Sequence, residues 1–298
     1  MTETPFEGVG KTWTETVDAK PWSYVDVWSP ARVAFRLTAL VLWLVLILVA
    51  MACTAPVALL APGLAKHIRK SISRSWLKGT LLLLGARVTV HGTPPKSPFF
   101  LVGNHISWID FLVTNTLVDA VCVSEAVVTQ IPLARFLLKG MDLIVVMRTR
   151  EKLHETSELM MRAMRDGKSL VMAPEATVSP GQRVCHFHSG LFESAVRMRR
   201  PVHYASLTVQ TPVGWPPATR SVLAPDRDLP IKNPTPKEVE LMRQQNGRGF
   251  LSYFLGLLSL PCHEYILTFA PEPLLRNDRK ELARALQQAV QSIFTPVA

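Results

Sequence analysis

The sequence predicts an α/β fold: a mostly parallel, mixed sheet flanked by helices, preceded by an N-terminal hydrophobic membrane helix or helical hairpin. Three observations carry this. Short apolar runs of strand length recur at 87–90, 99–102, 120–123, 143–147, 169–173, 202–209 and 265–269. Segments of helical period separate several of them, and that alternation places helices on both sides of a parallel sheet. Ahead of both, no charge occurs between Leu37 and Leu60.

Taken in order, residues 1–30 form a polar tail with scattered aromatics (Trp13, Trp22, Tyr24, Trp28). The tail is acidic, yet the whole chain carries a formal charge of +10, so the remainder is strongly basic. Such a body suits an anionic partner, either nucleic acid or a membrane surface.

Residues 31–78 choose the membrane. At about 1.5 Å per residue, Leu37–Ala55 would reach roughly 29 Å, close to the hydrocarbon thickness of a bilayer. The polar tail ahead of this run argues against a cleaved signal peptide. Pro56 and Pro62 end or kink the helix, so a span and a shallow hairpin are both open. Then comes "LAKHIRKSISRSWLKG", where Lys66, Arg69, Lys70, Arg74 and Lys78 occur with no acid among them. These basic residues read as contact with anionic lipid headgroups. They outnumber Arg32 and Arg36 on the other flank, which favours a cytosolic C-terminal body at the inner membrane.

Residues 79–298 form the α/β domain. Within 151–166, Leu153, Ser157, Met160 and Met164 keep helical spacing, and Gly167 is placed to end that helix. Residues 189–199 read as helix. Near the C-terminus, Leu282, Leu286, Ala289 and Ile293 share one face behind a cap at Asn277 or Asp278. The stretch 211–248 is proline-rich and irregular, and 249–261 is a buried helix or a second lipid-contacting patch. Cys53, Cys122, Cys185 and Cys262 are widely separated, so reduced thiols are expected rather than a disulfide framework. Cys185, His186, His188 and His203 lack any metal-ligand spacing, and no metal site is expected.

Three clusters carry candidate chemistry, each just past a strand, where the active sites of α/β sheets gather. The first is "FFLVGNHISWIDF", read as strand, turn and helix, with His105 in the turn and Asp110 early in the helix. On a regular helix, positions five apart are rotated by about 140° and cannot face each other. A His–Asp contact therefore requires His105 outside the helix, where Asp110 would fix its tautomer. An aspartate at a helix start also suits the helix dipole, so the bland alternative is a cap. A serine hydrolase using Ser107 is discounted, because the chain has no Gly-x-Ser-x-Gly elbow. The second cluster is "LIVVMRTR", whose Arg148 offers a planar fork for phosphate. The third is "VMAPEATVSPG", with Glu175, Thr177 and Ser179, able to hold a polyol or to make an ordinary turn.

In this order the residues resemble a known family. "NHISWID" matches the His-x4-Asp signature of the glycerolipid acyltransferases, which include the 1-acylglycerol-3-phosphate acyltransferases. "LIVVMR" is similar to the family's second block, "APEATVS" to its Pro-Glu-Gly-Thr-x-Ser block, and "RPVHYASL" to its fourth. The resemblance covers roughly residues 80–295. It implies transfer of a fatty acyl group from a thioester, acyl-CoA or acyl carrier protein, to a lysolipid hydroxyl. The first acceptor implied is 1-acylglycerol-3-phosphate, giving phosphatidic acid. The alternatives are another lysolipid, such as a lyso-ornithine lipid, or a catalytically silent lipid-binding protein. By resemblance His105 is the general base and Asp110 its orienting partner. Arg148 binds the acceptor headgroup, and Glu175, Thr177 and Ser179 shape its pocket. The resemblance implies no metal or cofactor beyond the acyl thioester, no nucleic acid, and membrane lipids as partners. Four departures bear on the acceptor. Ala176 replaces a glycine, Met147 an acidic residue, Glu125 a lysine and Tyr204 a proline. In addition, "HFHSG" stands where Phe-Lys-x-Gly is usual.

Overall fold

The computed structural model describes residues 29–125, 142–146, 150–176, 178–211, 235–236 and 250–297. The polar tail up to residue 28, Arg148, Thr177 and most of the proline-rich stretch lie outside the described residues.

Each of the apolar runs becomes a strand: β1 (Ala86–His91), β2 (Phe100–Gly103), β3 (Val121–Glu125), β4 (Leu143–Val146), β5 (Leu170–Met172), β6 (His203–Gln210) and β7 (His263–Phe269). They form one sheet in the order β1-β7-β6-β2-β5-β3-β4. Every pairing is parallel except β6 with β7. The sheet is therefore mixed and mostly parallel, as the sequence predicts. The antiparallel step turns β7 and β1 around, so they begin at the end of the sheet where β2, β5, β3, β4 and β6 finish.

The sheet buries both faces. One core contains Leu101, Ile109, Val113, Leu207, Leu257 and Leu267; the other contains Phe100, Val102, Met160, Phe187, Leu282 and Leu286. Adjacent residues of β2 therefore enter opposite cores, which is the period of two that a strand imposes. Helix α5 (Arg150–Arg165) covers the second face and ends at Gly167, whose φ of 73° is the left-handed cap that glycine adopts without strain. Residues 189–199 open with a 3₁₀ turn (Ser189–Phe192) and continue as α6 (Glu193–Arg197). Helix α7 (Phe250–Ser259) buries Tyr253, Leu257 and Leu258, so the short apolar stretch is chiefly core. Helix α8 (Arg279–Ile293) starts at Asp278, whose carboxylate accepts from the amides of Lys280 and Glu281 at 2.9 Å. Its buried face is Leu282, Ala283, Leu286 and Val290, turned by one position from the expected Ala289 and Ile293.

Ahead of the sheet, α1 (Pro30–Ala52), α2 (Ala55–Leu60) and α3 (Pro62–Leu84) form a hairpin. Pro56 and Pro62 sit in the first turn of α2 and α3, where the missing N–H costs nothing. Of the expected kink or end, the structure shows an end, followed by two helix starts. α1 lies along α3, with the Trp43 ring against Gly79 and its Nε1 donating to the Trp76 carbonyl at 3.3 Å. α3 in turn packs on α4 (Ile109–Leu117), which lies against the sheet. At its N-terminal end α1 is bolted to the domain. Arg36 donates to the carbonyls of Leu258, Leu260 and Pro261, and Arg32 to that of Ser259. The face of α1 turned from α3 exposes Phe35, Val41, Leu42, Val45, Leu46 and Val49.

Candidate active site

The site is built where β2 ends. Gly103 runs so close to β6 that a Cβ there would meet the Ala205 carbonyl oxygen at 3.1 Å. Asn104 then extends the ladder with its side chain: Nδ2 donates to the Leu207 carbonyl at 2.8 Å, and Oδ1 accepts from the Leu207 amide at 2.7 Å. This buried clamp fixes the direction in which the chain leaves the strand.

The next residues form the turn. Ser107 opens the turn that leads into α4: Trp108 already has helical φ and ψ, and the Ser107 Oγ accepts from the Ile109 amide at 2.9 Å. Asp110, three residues on, reaches back so that its Oδ2 accepts from the Ser107 amide at 2.9 Å. This is a reciprocal capping box. The same oxygen accepts from the Ile106 amide at 2.7 Å and from His105 Nδ1 at 2.8 Å. The choice between cap and histidine partner therefore dissolves, because one carboxylate oxygen does both. His105 lies in the turn, outside the helix, as the rotation argument requires. Its Nδ1 carries the proton that the carboxylate accepts, which leaves Nε2 as the basic nitrogen of the neutral ring. Solvent reaches the ring, with 27% of the side chain exposed.

The third cluster follows β5, the parallel neighbour of β2, so the two loops leave the sheet side by side. The Ser179 amide donates to the His105 carbonyl at 2.9 Å. Glu175 is buried; its Oε1 accepts from the Cys185 amide at 3.2 Å, and the His105 amide also lies against the carboxyl. Burial pushes this carboxyl well above the usual range, against the opposing pull of those two backbone amides, and the nearby Asp110 charge adds to the rise. Ser179 is buried too, its Oγ accepting from the Gly181 amide at 3.2 Å. Both side chains thus hold backbone in the structure. Ala176, in the position of the family's glycine, has a φ of 51°.

The second cluster stands further off. β4 is the edge strand, three strands from β2, or about 14 Å at the usual spacing. Arg148, like Thr177, lies outside the described residues, so its convergence on His105 is not described. The sequence metal candidates separate. His203 opens β6 at the far end of the sheet, whereas the exposed rings of His186 and His188 meet edge to face beside the Pro174 loop.

Between α4 and the sheet a cavity of about 110 Å³ opens beside His105 and Asp110, walled by Leu101, Phe111, Val171 and Leu207 among others. Cys122 also lines it, and burial pushes its thiol up to about 12, so no thiolate nucleophile is present there. Sequence reasoning missed Asn104 and the capping role of Ser107. The Ser-x-x-Asp spacing ahead of an apolar run was the available signal for the cap. For Asn104, only the packing of β2 on β6 shows its use.

Comparison with known proteins agrees with this geometry. Residues 87–209 match the family model described as Acyltransferase. The lyso-ornithine lipid O-acyltransferase of Rhizobium meliloti is 32% identical over 162 residues, 53% of this chain and 52% of that protein. The alignment thus spans about half the length of that relative. The lyso-ornithine lipid O-acyltransferase of Pseudomonas aeruginosa is 27% identical over 224 residues, 75% of this chain and 78% of that protein. The crystal structure of the 1-acyl-sn-glycerophosphate (LPA) acyltransferase PlsC from Thermotoga maritima shares the fold. It has a TM-score of 0.54 at 17% identity, covering 88% of this chain and 97% of that one. Over residues 87–209 the chain is thus similar to acyltransferases.

Proposed function

We propose that the protein is an O-acyltransferase that moves a fatty acyl group from acyl-CoA or acyl carrier protein to the free hydroxyl of a lysolipid. The single observation that carries the mechanism is the His105–Asp110 contact at 2.8 Å, made through Nδ1 and leaving Nε2 without a partner among the described residues. In the proposed reaction Nε2 takes the proton of the acceptor hydroxyl as its oxygen attacks the thioester carbonyl, and the C–S bond breaks to release the thiol. Asp110 holds the tautomer and stabilises the imidazolium that forms. The apolar cavity beside the ring suits methylenes of an acyl chain. Arg148 binds the acceptor headgroup, while Glu175, Thr177 and Ser179 set the shape of its loop.

A lyso-ornithine lipid is the acceptor favoured here, ahead of 1-acylglycerol-3-phosphate. Support comes from the relatives of that name and from the chain's departures from the glycerolipid pattern, among them Glu125 where a lysine is common. An acidic residue there suits a headgroup carrying an ammonium better than a phosphate. The attachment to the membrane is proposed as monotopic. The helical run Pro30–Leu60 is long and apolar enough to cross a bilayer, but α3 covers one side of α1, which leaves a single apolar face for lipid. The catalytic domain then faces the cytosol.

Purified full-length protein given labelled acyl-CoA or acyl carrier protein and a panel of lysolipids tests the reading. Transfer to lyso-ornithine lipid that exceeds transfer to 1-acylglycerol-3-phosphate is expected. The reverse preference would return the acceptor to the glycerophospholipid, and no transfer to any lysolipid would leave a silent lipid-binding protein.

A further inference from the structure

At the end of the sheet opposite His105, a second and larger pocket of about 360 Å³ lies between the first half of α3 and the starts of β3, β4 and β5. Its charged lining is mainly cationic. Lys66, Lys70 and Arg74 project from α3, and Lys168 joins them from the turn before β5. Of the five basic residues that the sequence groups beside the apolar run, Lys78 and Arg69 are not in this lining; Lys78 lies further along α3. Arg69 is nearer. It is turned away, its Nε donating to Thr54 Oγ1 at 2.7 Å. Lys168 is a recruit that only the fold supplies.

Two aspartates hold the cations in place. Asp119 meets Lys70 at 2.6 Å and Arg74 at 3.4 Å, and Asp142 meets Lys168 at 3.0 Å and Lys66 at 3.8 Å. Among the described lining residues, four cations and two carboxylates leave a net charge of +2 in a concave site. Burial acts to raise the Asp142 carboxyl, but the Lys168 hydrogen bond and the charges of Lys168, Lys66 and Lys70 together bring it below its ordinary value. The cationic field therefore dominates the pocket.

The surroundings select among anions. Immediately before Lys66, Leu59 and Leu60 are 87% and 89% exposed and Leu64 is 57% exposed. Apolar side chains this open beside a basic pocket match the layering of a bilayer, with tails below and phosphates above. α3 has 23 residues and is about 34 Å long, with His105's end of the domain at its far terminus. A contact at only one end would let the domain tilt on the membrane.

We propose that this pocket binds the phosphate of an anionic bilayer phospholipid and so anchors the end of the domain remote from the active site. The lipid is a resident of the membrane, distinct from acceptor and donor. This rests on the reading of the hairpin as membrane-facing.

The test uses purified full-length protein at limiting lipid, floated with vesicles of phosphatidylcholine alone or of phosphatidylcholine and phosphatidylglycerol at about 7:3. Binding to the anionic vesicles should be stronger. The Lys66→Ser/Lys168→Ser double variant should lose most of that gain, roughly tenfold or more for two lysines at an anionic surface. A control double variant on α8, Lys280→Ser/Arg284→Ser, should keep it. Both variants should unfold at the wild-type temperature and keep wild-type turnover on a detergent-dispersed acceptor. Equal binding to both vesicle types, or equal loss in both double variants, would overturn the site. Stabilisation by inorganic phosphate that the Lys66/Lys168 variant loses, with vesicle binding unchanged, would reassign the pocket to a soluble phosphate and overturn the lipid. Loss of binding to an acidic acyl carrier protein, with vesicle binding unchanged, would overturn it in favour of a protein partner. Failure to bind phosphatidylcholine vesicles at all would instead sink the membrane-facing reading on which the proposal stands.

Discussion

At the residue scale, the two members of the His-x4-Asp pair should fail differently. His105→Ala removes the proposed base from a solvent-reached ring position and should cut turnover roughly 10²–10⁴-fold while leaving the unfolding temperature nearly unchanged. Asp110→Ala also strips the acceptor from the buried Ile106 and Ser107 amides. Each orphaned donor costs about 1–3 kcal/mol, so this variant should lose both activity and stability. Equal stability of the two variants in thermal unfolding would contradict the shared-oxygen geometry. Ala176 makes a further prediction. Its φ of 51° is a conformation that costs a side-chain-bearing residue about 1–2 kcal/mol, offset in part by the lower entropy of alanine in the unfolded chain. Ala176→Gly should therefore stabilise the protein by about 0.5–1 kcal/mol in denaturant unfolding. The motif was legible in the sequence because its spacing is local. The convergence of three donors on one oxygen was not, because it depends on the angle at which β2 delivers the turn.

At the element scale, the hairpin is held to the domain by few, specific contacts. Arg32 and Arg36 read from sequence as a charge flank that helps set topology. In the structure Arg36 satisfies carbonyls at and beyond the end of α7, where a cation also complements the helix dipole. Arg36→Ala should destabilise the protein by about 1–3 kcal/mol, measured by thermal unfolding in detergent, and Arg36→Lys should recover only part because one ammonium cannot reproduce the fork. Gly79 is the matching feature on α3. A Cβ there would stand 2.5 Å from the Trp43 ring, so Gly79→Ala should separate α1 from α3 despite the gain in helix propensity. Protease cutting between the two helices, faster in the variant than in the wild type, would report that separation. Neither dependence was visible in the sequence, since a glycine inside a helical pattern gives no sign of what lies across from it.

At the scale of the whole molecule, acid should weaken the fold through a residue remote from the chemistry. His263, buried at the start of β7, donates from Nε2 to the Leu84 carbonyl at 3.1 Å and thereby ties the sheet to the end of α3. Burial lowers its pKa to about 4, the Leu84 hydrogen bond opposes this, and the charge of Arg36 adds to the lowering. The unfolded chain takes up this proton near pH 6.5 while the folded protein still refuses it, so stability rises with pH across this window. It should be full above about pH 6.5 and fall by about 3 kcal/mol on the way down to pH 4. Glu175 works in the other direction: its raised pKa favours the fold at low pH and loses that contribution as pH rises through the folded value. The unfolding free energy of wild type relative to His263→Gln, a difference in which the Glu175 contribution cancels, should therefore fall by about 3 kcal/mol between pH 6.5 and pH 4.

What the sequence determined by itself was everything set by short-range periodicity and spacing. The seven strands, the apolar N-terminal segment, a cap at Asn277 or Asp278 and the pairing of His105 with Asp110 all follow from patterns a few residues long, because burial on one face imposes a period that the residues must obey. The tertiary structure alone decided which strands are neighbours. It placed the loops after β2 and β5 side by side, left β4 at the edge, and brought Lys168 to the basic side chains of α3. Those outcomes arise from pairings between residues far apart in the chain, whose geometry is fixed only once the sheet and its two cores have closed around them.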